Sequence, residues 1–404
     1  MNITADLDRF LRYVKVDTQS DDTSDSCPSQ AKELNLTYML KQELDLLGIP
    51  NYVNEYGILY GKLEGEPDLE PIGLNSHVDT ALELSGKDVQ PRIIENYDGG
   101  TIVLNDKFSM SPEDFPTLGD HIGDTLVVTN GDTLLGADDK AGIAIIMAVL
   151  TYYKMHPEVK HHTICFCFTP DEEIGRGADH FDAEAFGAKY AYTIDGGNYL
   201  EIAIESFNAA HADVHIQGLS IHPGEAKGKL ASAVNLAIEY DGMLSPRKRP
   251  QYTCEREGFY HLTSLNGNVD EAHMHYIIRH HEKEELIKME DEMIQAMIDL
   301  RERYPAAKID VTLGEDYRNM AEVFEKHPEA VEKAKKAFKS LGFFPVFPPI
   351  RGGTDGATFS FKGCPTPNLG TGSYNHHGRY EYLSVTEFYN MIEIVKEIMK
   401  ADVE

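Results

Sequence analysis

The sequence predicts an α/β fold with a smaller α+β unit inserted into it. Three observations carry that prediction. Short apolar β-rich runs alternate with helical stretches over the first two hundred residues, and polar residues gather where those runs end. The middle of the chain then changes to longer alternating strands and charged helices, before loops rich in reactive side chains return from Arg351 to Tyr380. In α/β sheets chemistry sits just beyond the carboxyl ends of strands.

Taken in order, residues 6–16 place Leu7, Phe10, Leu11, Val14 and Val16 near helical spacing. Ala31 to Leu47 repeats that pattern with Leu34, Leu36, Met39, Leu40, Leu44 and Leu47, and Gly48-Ile49-Pro50 supplies the helix stop. Gly57 to Tyr60 and Ile72 to Leu74 are short β-rich runs. Leu126–Thr129 and Asp132–Leu135 are expected to form a hairpin-like pair around the turn Asn130-Gly131. The small and apolar stretch Ala141 to Tyr153 predicts a buried helix. Thr163–Thr169 and Tyr190–Ile194 predict central strands, with Cys165 and Cys167 as buried core thiols on one face of the first. Residues 211–217 alternate as a strand, Leu230–Tyr240 forms a helix, Met274–Arg279 a strand, Lys283–Tyr304 a long charged helix and Lys308–Leu313 a strand. The order resembles a β-α-β-β-α-β sandwich.

Composition narrows the function. At 404 residues the chain is long enough for two or three domains of about 150 residues. Its 37 basic against 67 acidic residues give a formal charge of −30, and no basic patch is visible, which excludes nucleic acid or an anionic membrane as the main partner. A hydrophobic fraction of 42% and a charged fraction of 26% are those of an ordinary globular protein. The five cysteines are too few and scattered for a disulfide framework. The opening residues show no signal peptide, and no apolar run nears the ~20 residues of a membrane span, so a cytoplasmic location is expected.

Four clusters could do chemistry. His77 and Asp79 in SHVDT point to one side of an extended backbone, the pairing that fixes the tautomer of a metal-binding imidazole. Asp138 and Asp139 follow Gly136 and open a small-residue helix, where helix capping is the plainer reading. Asp171, Glu172 and Glu173 follow the apolar strand, and three successive carboxylates there repel unless a cation or a raised pKa relieves them; a charged solvent turn is the plainer alternative. His376 and His377 precede a glycine, and Asp195 ends another strand. Together, two histidines and three carboxylates make a mixed shell suited to two zinc-like ions that activate a water. A serine elbow G-x-S-x-G, a P-loop and H-E-x-x-H are all absent from the sequence.

Here a resemblance enters. SHVDT, LLGADDKAGIA, FTPDEEIGRGADHFD, TIDGG, HPGEAKGK, MHYIIRHH, IRGGTDGA and NHHG, in this order over essentially the whole chain, resemble the metallopeptidase family M20. The resemblance implies a mixed-sheet, zinc-exopeptidase-like catalytic domain over residues 1–208 and 319–404, with an inserted two-layer α+β lid and dimerisation domain over 209–318. It implies two zinc ions per subunit, with cobalt or manganese able to substitute. His77, Asp138 and Asp195 would hold one ion; Asp138, Glu173 and His377 the other. Glu172 resembles the family's general base and Asp79 the partner of His77, while His376 has no role in the pattern. His222 resembles a lid histidine that stabilises an oxyanion. Arg279, ending an alternating strand, suits a substrate carboxylate, and Arg351 opens a glycine-rich loop expected to be flexible and to face substrate. The structural alternatives are a loop-capping histidine for His222, a surface ion pair for Arg279 and a plain turn for the loop of Arg351. The implied activity is release of the N-terminal residue from short peptides with a free N-terminus, chiefly tripeptides, by a homodimer, with no covalent acyl intermediate. Asp195 stands where deacylase-like members carry Glu, which favours peptide cleavage. A dipeptidase, an N-acyl amino acid deacylase and a non-catalytic peptide-binding protein are the alternatives.

Overall fold

The structure, a computed structural model, describes residues 4–401. It divides into two compact units, one running to Ile204 and including Glu322–Pro348 and the chain from Thr354 on, the other comprising Glu205–Ala321 and Pro349–Gly353.

The first unit is built on a seven-stranded mixed sheet. Its order is Asn51–Val53, Leu59–Leu63, Ile164–Thr169, Ile72–His77, Tyr190–Ile194, Asn368–Leu369 and Ile202–Ala203. The middle strands run parallel, and Leu59–Leu63 and Ile202–Ala203 pair antiparallel with their neighbours. Ile72–His77 and Ile164–Thr169 are buried at every residue, as parallel strands covered on both faces must be. Alternation splits the second of these between two cores. Ile164, Phe166 and Phe168 join Leu74, Ile146 and Phe388 on one side. Cys165 and Cys167 pack with Phe181, Phe186 and Phe359 on the other. The helix Ala137–Met155 buries nearly its whole circumference from Ala141 to Leu150, which is why its sequence lacks a polar stripe. Among the described residues no helix is long and apolar enough to cross a membrane.

Register sets the strand ends level. His77 pairs with Thr169 and Asn75 with Thr193, so the segments carrying Asp79, Asp171 to Glu173 and Asp195 all leave the sheet at one edge. The buried helix comes to the same edge. A methyl group on Gly142 would lie 1.8 Å from the Ile194 carbonyl oxygen, one residue before Asp195.

The expected hairpin is corrected. Leu126–Val128 is a strand, but it pairs with Tyr382–Ser384 and Arg92–Ile94 in a separate four-stranded antiparallel sheet. No strand forms over Asp132–Leu135. The amides of Leu135 and Gly136 donate to one oxygen of Glu381 at 2.8 and 2.7 Å, which takes the donors a ladder would need. Asn130-Gly131 does turn the chain, closed by the Gly131 amide donating to Thr129 Oγ1 at 2.9 Å. The glycine-rich segment after Arg351 also differs from a free loop: Thr354 caps the helix Asp355–Phe361, its hydroxyl accepting from the Ala357 amide.

The second unit is a four-stranded antiparallel sheet ordered Phe259–Gly267, Glu271–His280, Asn208–Gln217 and Lys308–Tyr317. Helices Ala233–Met243 and Lys283–Arg303 share one core with Val214, Ile216, Met274, Tyr276 and Ile278, making two layers. Phe259–Gly267 has one buried side chain, Tyr260, so its hydrophobic signal is too thin to locate from sequence.

Gly142→Ala should gain about 1 kcal/mol of helix propensity yet lose more to overpacking, typically about 1–3 kcal/mol. A lowered thermal midpoint by circular dichroism is expected.

Candidate metal centre

The side chains at that sheet edge converge. His77 ends its strand with its side chain only 2% exposed; Nδ1 lies 3.2 Å from Asp79 Oδ1 and Nε2 3.0 Å from Asp138 Oδ1. The other Asp138 oxygen lies 3.4 Å from His377 Nε2 and 3.6 Å from His376 Nδ1. Glu173 Oε2 is 3.0 Å from the same His377 nitrogen, and Glu172 Oε2 is 4.0 Å from His77 Nε2. Asp195 and Asp139 complete the cluster, each offering an oxygen within 4.8 Å of the other and of His77. One carboxylate, Asp138, therefore stands between the imidazoles of His77 and His377.

Several side chains behind the cluster hold it by accepting backbone amides. Asp79 is fully buried and accepts from the amides of Glu172 and Glu173, each at 3.1 Å. It thus ties the His77 ring to the turn that carries both glutamates. Glu381 accepts from Leu135, Gly136 and Asp138, the last at 3.0 Å, and so positions the turn into the buried helix. Asp139 accepts from the His77 amide at 3.1 Å. One layer further back, Glu33 accepts from the Asp171 amide at 3.1 Å and from Ser29 Oγ at 2.9 Å.

Electrostatics show what the cluster lacks. Burial, then the Asp138 charge, pushes Asp195 up to about 6. Burial and Asp138 likewise push Glu173 to about 7. Glu172 is raised well above the ordinary carboxylate range, by burial first and by Asp195, Asp355 and Glu173. Asp139 is raised by burial and Asp195. Asp138 goes the other way: burial alone would raise it, but His376, His377 and His77 outweigh burial and hold it well below the usual range. His377 rises to about 12 through Asp138 and Glu173. The buried oxygens Glu173 Oε1 and Asp139 Oδ1 have no hydrogen-bond partner. Crowded carboxylates, facing imidazoles and orphaned oxygens fit divalent cations, which supply the positive charge the side chains lack.

Of the other expected residues, three lie in the second unit. His222 is exposed, its Nδ1 accepting from the Gly224 amide at 3.2 Å. Arg279 donates to the Ala210 carbonyl at 3.0 Å and to Asp316 at 3.2 Å. Arg351 donates to the carbonyls of Glu255 and Glu257 at 2.7 and 2.9 Å, with its guanidinium over the rings of Phe207 and Phe259. His376 also contacts Ser373 Oγ through Nε2, at 2.9 Å.

Sequence reasoning gave no role to Asp355, Glu381 or Glu33, and read Asp139 only as a helix cap. Asp355 is buried, accepts from the Thr169 hydroxyl, and is raised to about 7 by burial. Glu33 is raised to about 9 by burial, then by Asp79 and Asp171. An acid inside a helical pattern otherwise reads as solvated; no local signal marks Glu33.

The sequence pattern of peptidase family M20/M25/M40 matches residues 129–401. A relative from Bacillus subtilis (strain 168), Peptidase T, is 46% identical over 98% of this chain and 97% of its own. The chain belongs to peptidase family M20/M25/M40. Two solved structures share its fold. Aminopeptidase PepT from Bacillus cereus ATCC 10987 superposes with a TM-score of 0.77 at 22% identity, covering 99% of this chain and 98% of that one. A tripeptidase from Staphylococcus aureus subsp. aureus Mu50 gives 0.78 at 21% identity with the same coverages.

Asp79→Ala removes the His77 partner and the acceptor for two amides at once. Metal affinity, followed by competition with a chromogenic chelator, should fall about 10–100-fold.

Proposed function

We propose that this chain is a metallo-aminopeptidase that releases the N-terminal residue from short peptides, chiefly tripeptides. One observation carries the reading: Asp138 presents one oxygen to His77 at 3.0 Å and the other to His377 at 3.4 Å, as a carboxylate shared by two cations would. Similarity to Peptidase T along nearly the full length supports it. The tripeptide preference is the one the motif resemblance implies.

His77, Asp138 and Asp195 would hold one ion, and Asp138, Glu173 and His377 the other. The mixed imidazole and carboxylate donors suit zinc and accept cobalt or manganese. Two such ions, when bound, polarise the scissile carbonyl and acidify a water. The chain's own residues do the rest. Glu172 takes the proton from the attacking water and returns it to the leaving amine. Its burial favours proton uptake, which suits a group that must accept a proton and then release it. Asp79 fixes the His77 tautomer through Nδ1 and clamps the amides of Glu172 and Glu173, so base and ligand keep their spacing. No side chain is asked to act as nucleophile.

In the same reading residues 1–208 and 319–404 are catalytic, and 209–318 form the lid and dimerisation domain. That domain contributes His222 and Arg279 to substrate contacts, with Arg351 a further one. The protein would act in the cytoplasm as a homodimer.

Glu172→Ala should keep fold and metal content while kcat falls about 10²–10⁴-fold; turnover near wild type would remove the base from the mechanism. In a parallel assay, an unblocked tripeptide should be cleaved faster than a dipeptide or an N-acetylated amino acid, with activity lost on chelation and restored by zinc. Preference for the acetylated compound would return the deacylase reading. Tight peptide binding without hydrolysis in zinc would return the binding-protein one.

A further inference from the structure

The second unit's sheet is covered by helices on one face, and its other face carries a separate collection of metal-ligating side chains. In Asn208–Gln217, Val214 and Ile216 turn inward while His211, Asp213 and His215 turn outward. In Glu271–His280, Met274 and Tyr276 turn inward while Glu271, His273 and His275 turn outward. The antiparallel register sets His215 opposite His273. Directly opposed residues keep their Cβ atoms about 4.5–5.5 Å apart. The two imidazoles lie face to face, centroids 4.5 Å apart and 10° from parallel. Glu271, two residues before His273 on the same face, places Oε1 2.7 Å from His215 Nε2 and 3.5 Å from His273 Nε2.

We propose that His215, His273 and Glu271 form a surface site for one divalent transition-metal ion of the imidazole-preferring kind, zinc being the simplest. One ligand atom from each lies within 4.8 Å of the others. Tetrahedral zinc with bonds of about 2.0–2.1 Å spaces its ligand atoms about 3.4 Å apart, so small side-chain rotations close the shell. The strands themselves fix the spacing, which lowers the conformational cost of capture. The side chains are 43%, 62% and 54% exposed for His215, His273 and Glu271, so an ion enters directly from solvent. Three protein donors leave one position for water or for a donor from another molecule.

The neighbouring histidines are arranged differently. His275 Nδ1 lies 2.7 Å from its own carboxylate, Asp213, and His211 pairs with Asp316, which also accepts from Arg279. Their rings stand 5.9 Å apart with no shared carboxylate. Each imidazole there has its own partner, and no common point collects three donors.

The test is a difference in metal count on the full chain, so it does not depend on how the first unit's cluster is filled. Protein equilibrated with micromolar free zinc is separated from unbound ion and its zinc measured by plasma mass spectrometry. Wild type should hold one more zinc per chain than the double variant His215→Gln, His273→Gln, whose thermal midpoint in chelator should match wild type. The single variant His273→Gln should lose the same ion, and Glu271→Ala should weaken it at least about tenfold. The control pair His211→Gln, His275→Gln should leave the count unchanged. Equal counts in wild type and in both His273→Gln proteins, or loss of the ion in the control pair alone, overturns the proposal.

Discussion

The structure depends on how a protein keeps several carboxylates buried side by side. Taking an ionised carboxylate out of water costs several kcal/mol after relaxation, and neighbouring like charges add to that. Asp138 resolves the conflict at its centre by lying between two imidazoles, and the groups around it divide into two kinds. Asp79 and Glu381 commit their oxygens to backbone amides, and one Asp79 oxygen also faces His77 Nδ1 at 3.2 Å. Glu173 and Asp139 each keep one buried oxygen with no hydrogen-bond partner. The first kind builds the scaffold, and the second leaves a deficit of positive charge in a defined place.

That division explains why the strand ends matter more than the strands. Parallel pairing sets His77, Thr169 and Ile194 at one edge, and the chain leaves each of them through a turn rich in acids. The turns are not independent. Asp79 joins the first to the second, Asp139 joins the first to the buried helix, and Glu33 braces the second from behind through the Asp171 amide. A displacement in any one of them moves the others, so precision at the cluster comes from cross-links between loops and not from any single rigid element.

Much of this was legible in the sequence, for physical reasons that differ by element. TICFCFT and YAYTI are short, apolar and sharply bounded, so they could only be buried strands, and the acids that follow them had to sit at strand ends. The failed hairpin shows the limit. Asn130-Gly131 is a true turn, but the partner of Leu126–Val128 comes from residues 382–384, and pairing at that separation leaves no local pattern. The supporting acids were invisible for a related reason. Glu33, Asp355 and Glu381 look like surface carboxylates until tertiary packing buries them, and nothing in their neighbours announces that. The convergence of His77, Asp138, Glu173, Asp195 and His377 lies beyond spacing arguments as well, since five segments must meet. The order of the motifs along the chain supplied what periodicity could not.

The bond network around Glu381 also bears on when activity can appear. Its carboxylate, far downstream of the turn it braces, holds the amides of Leu135, Gly136 and Asp138, and His377 joins the cluster from the same segment. A ribosome must therefore translate past Glu381 before the turn bearing Asp138 can settle. A chain made only as far as its first half carries the glutamates and the first histidine but not the clasp, so hydrolytic capacity arrives only after Glu381 has been made and folded back onto a turn some 245 residues upstream.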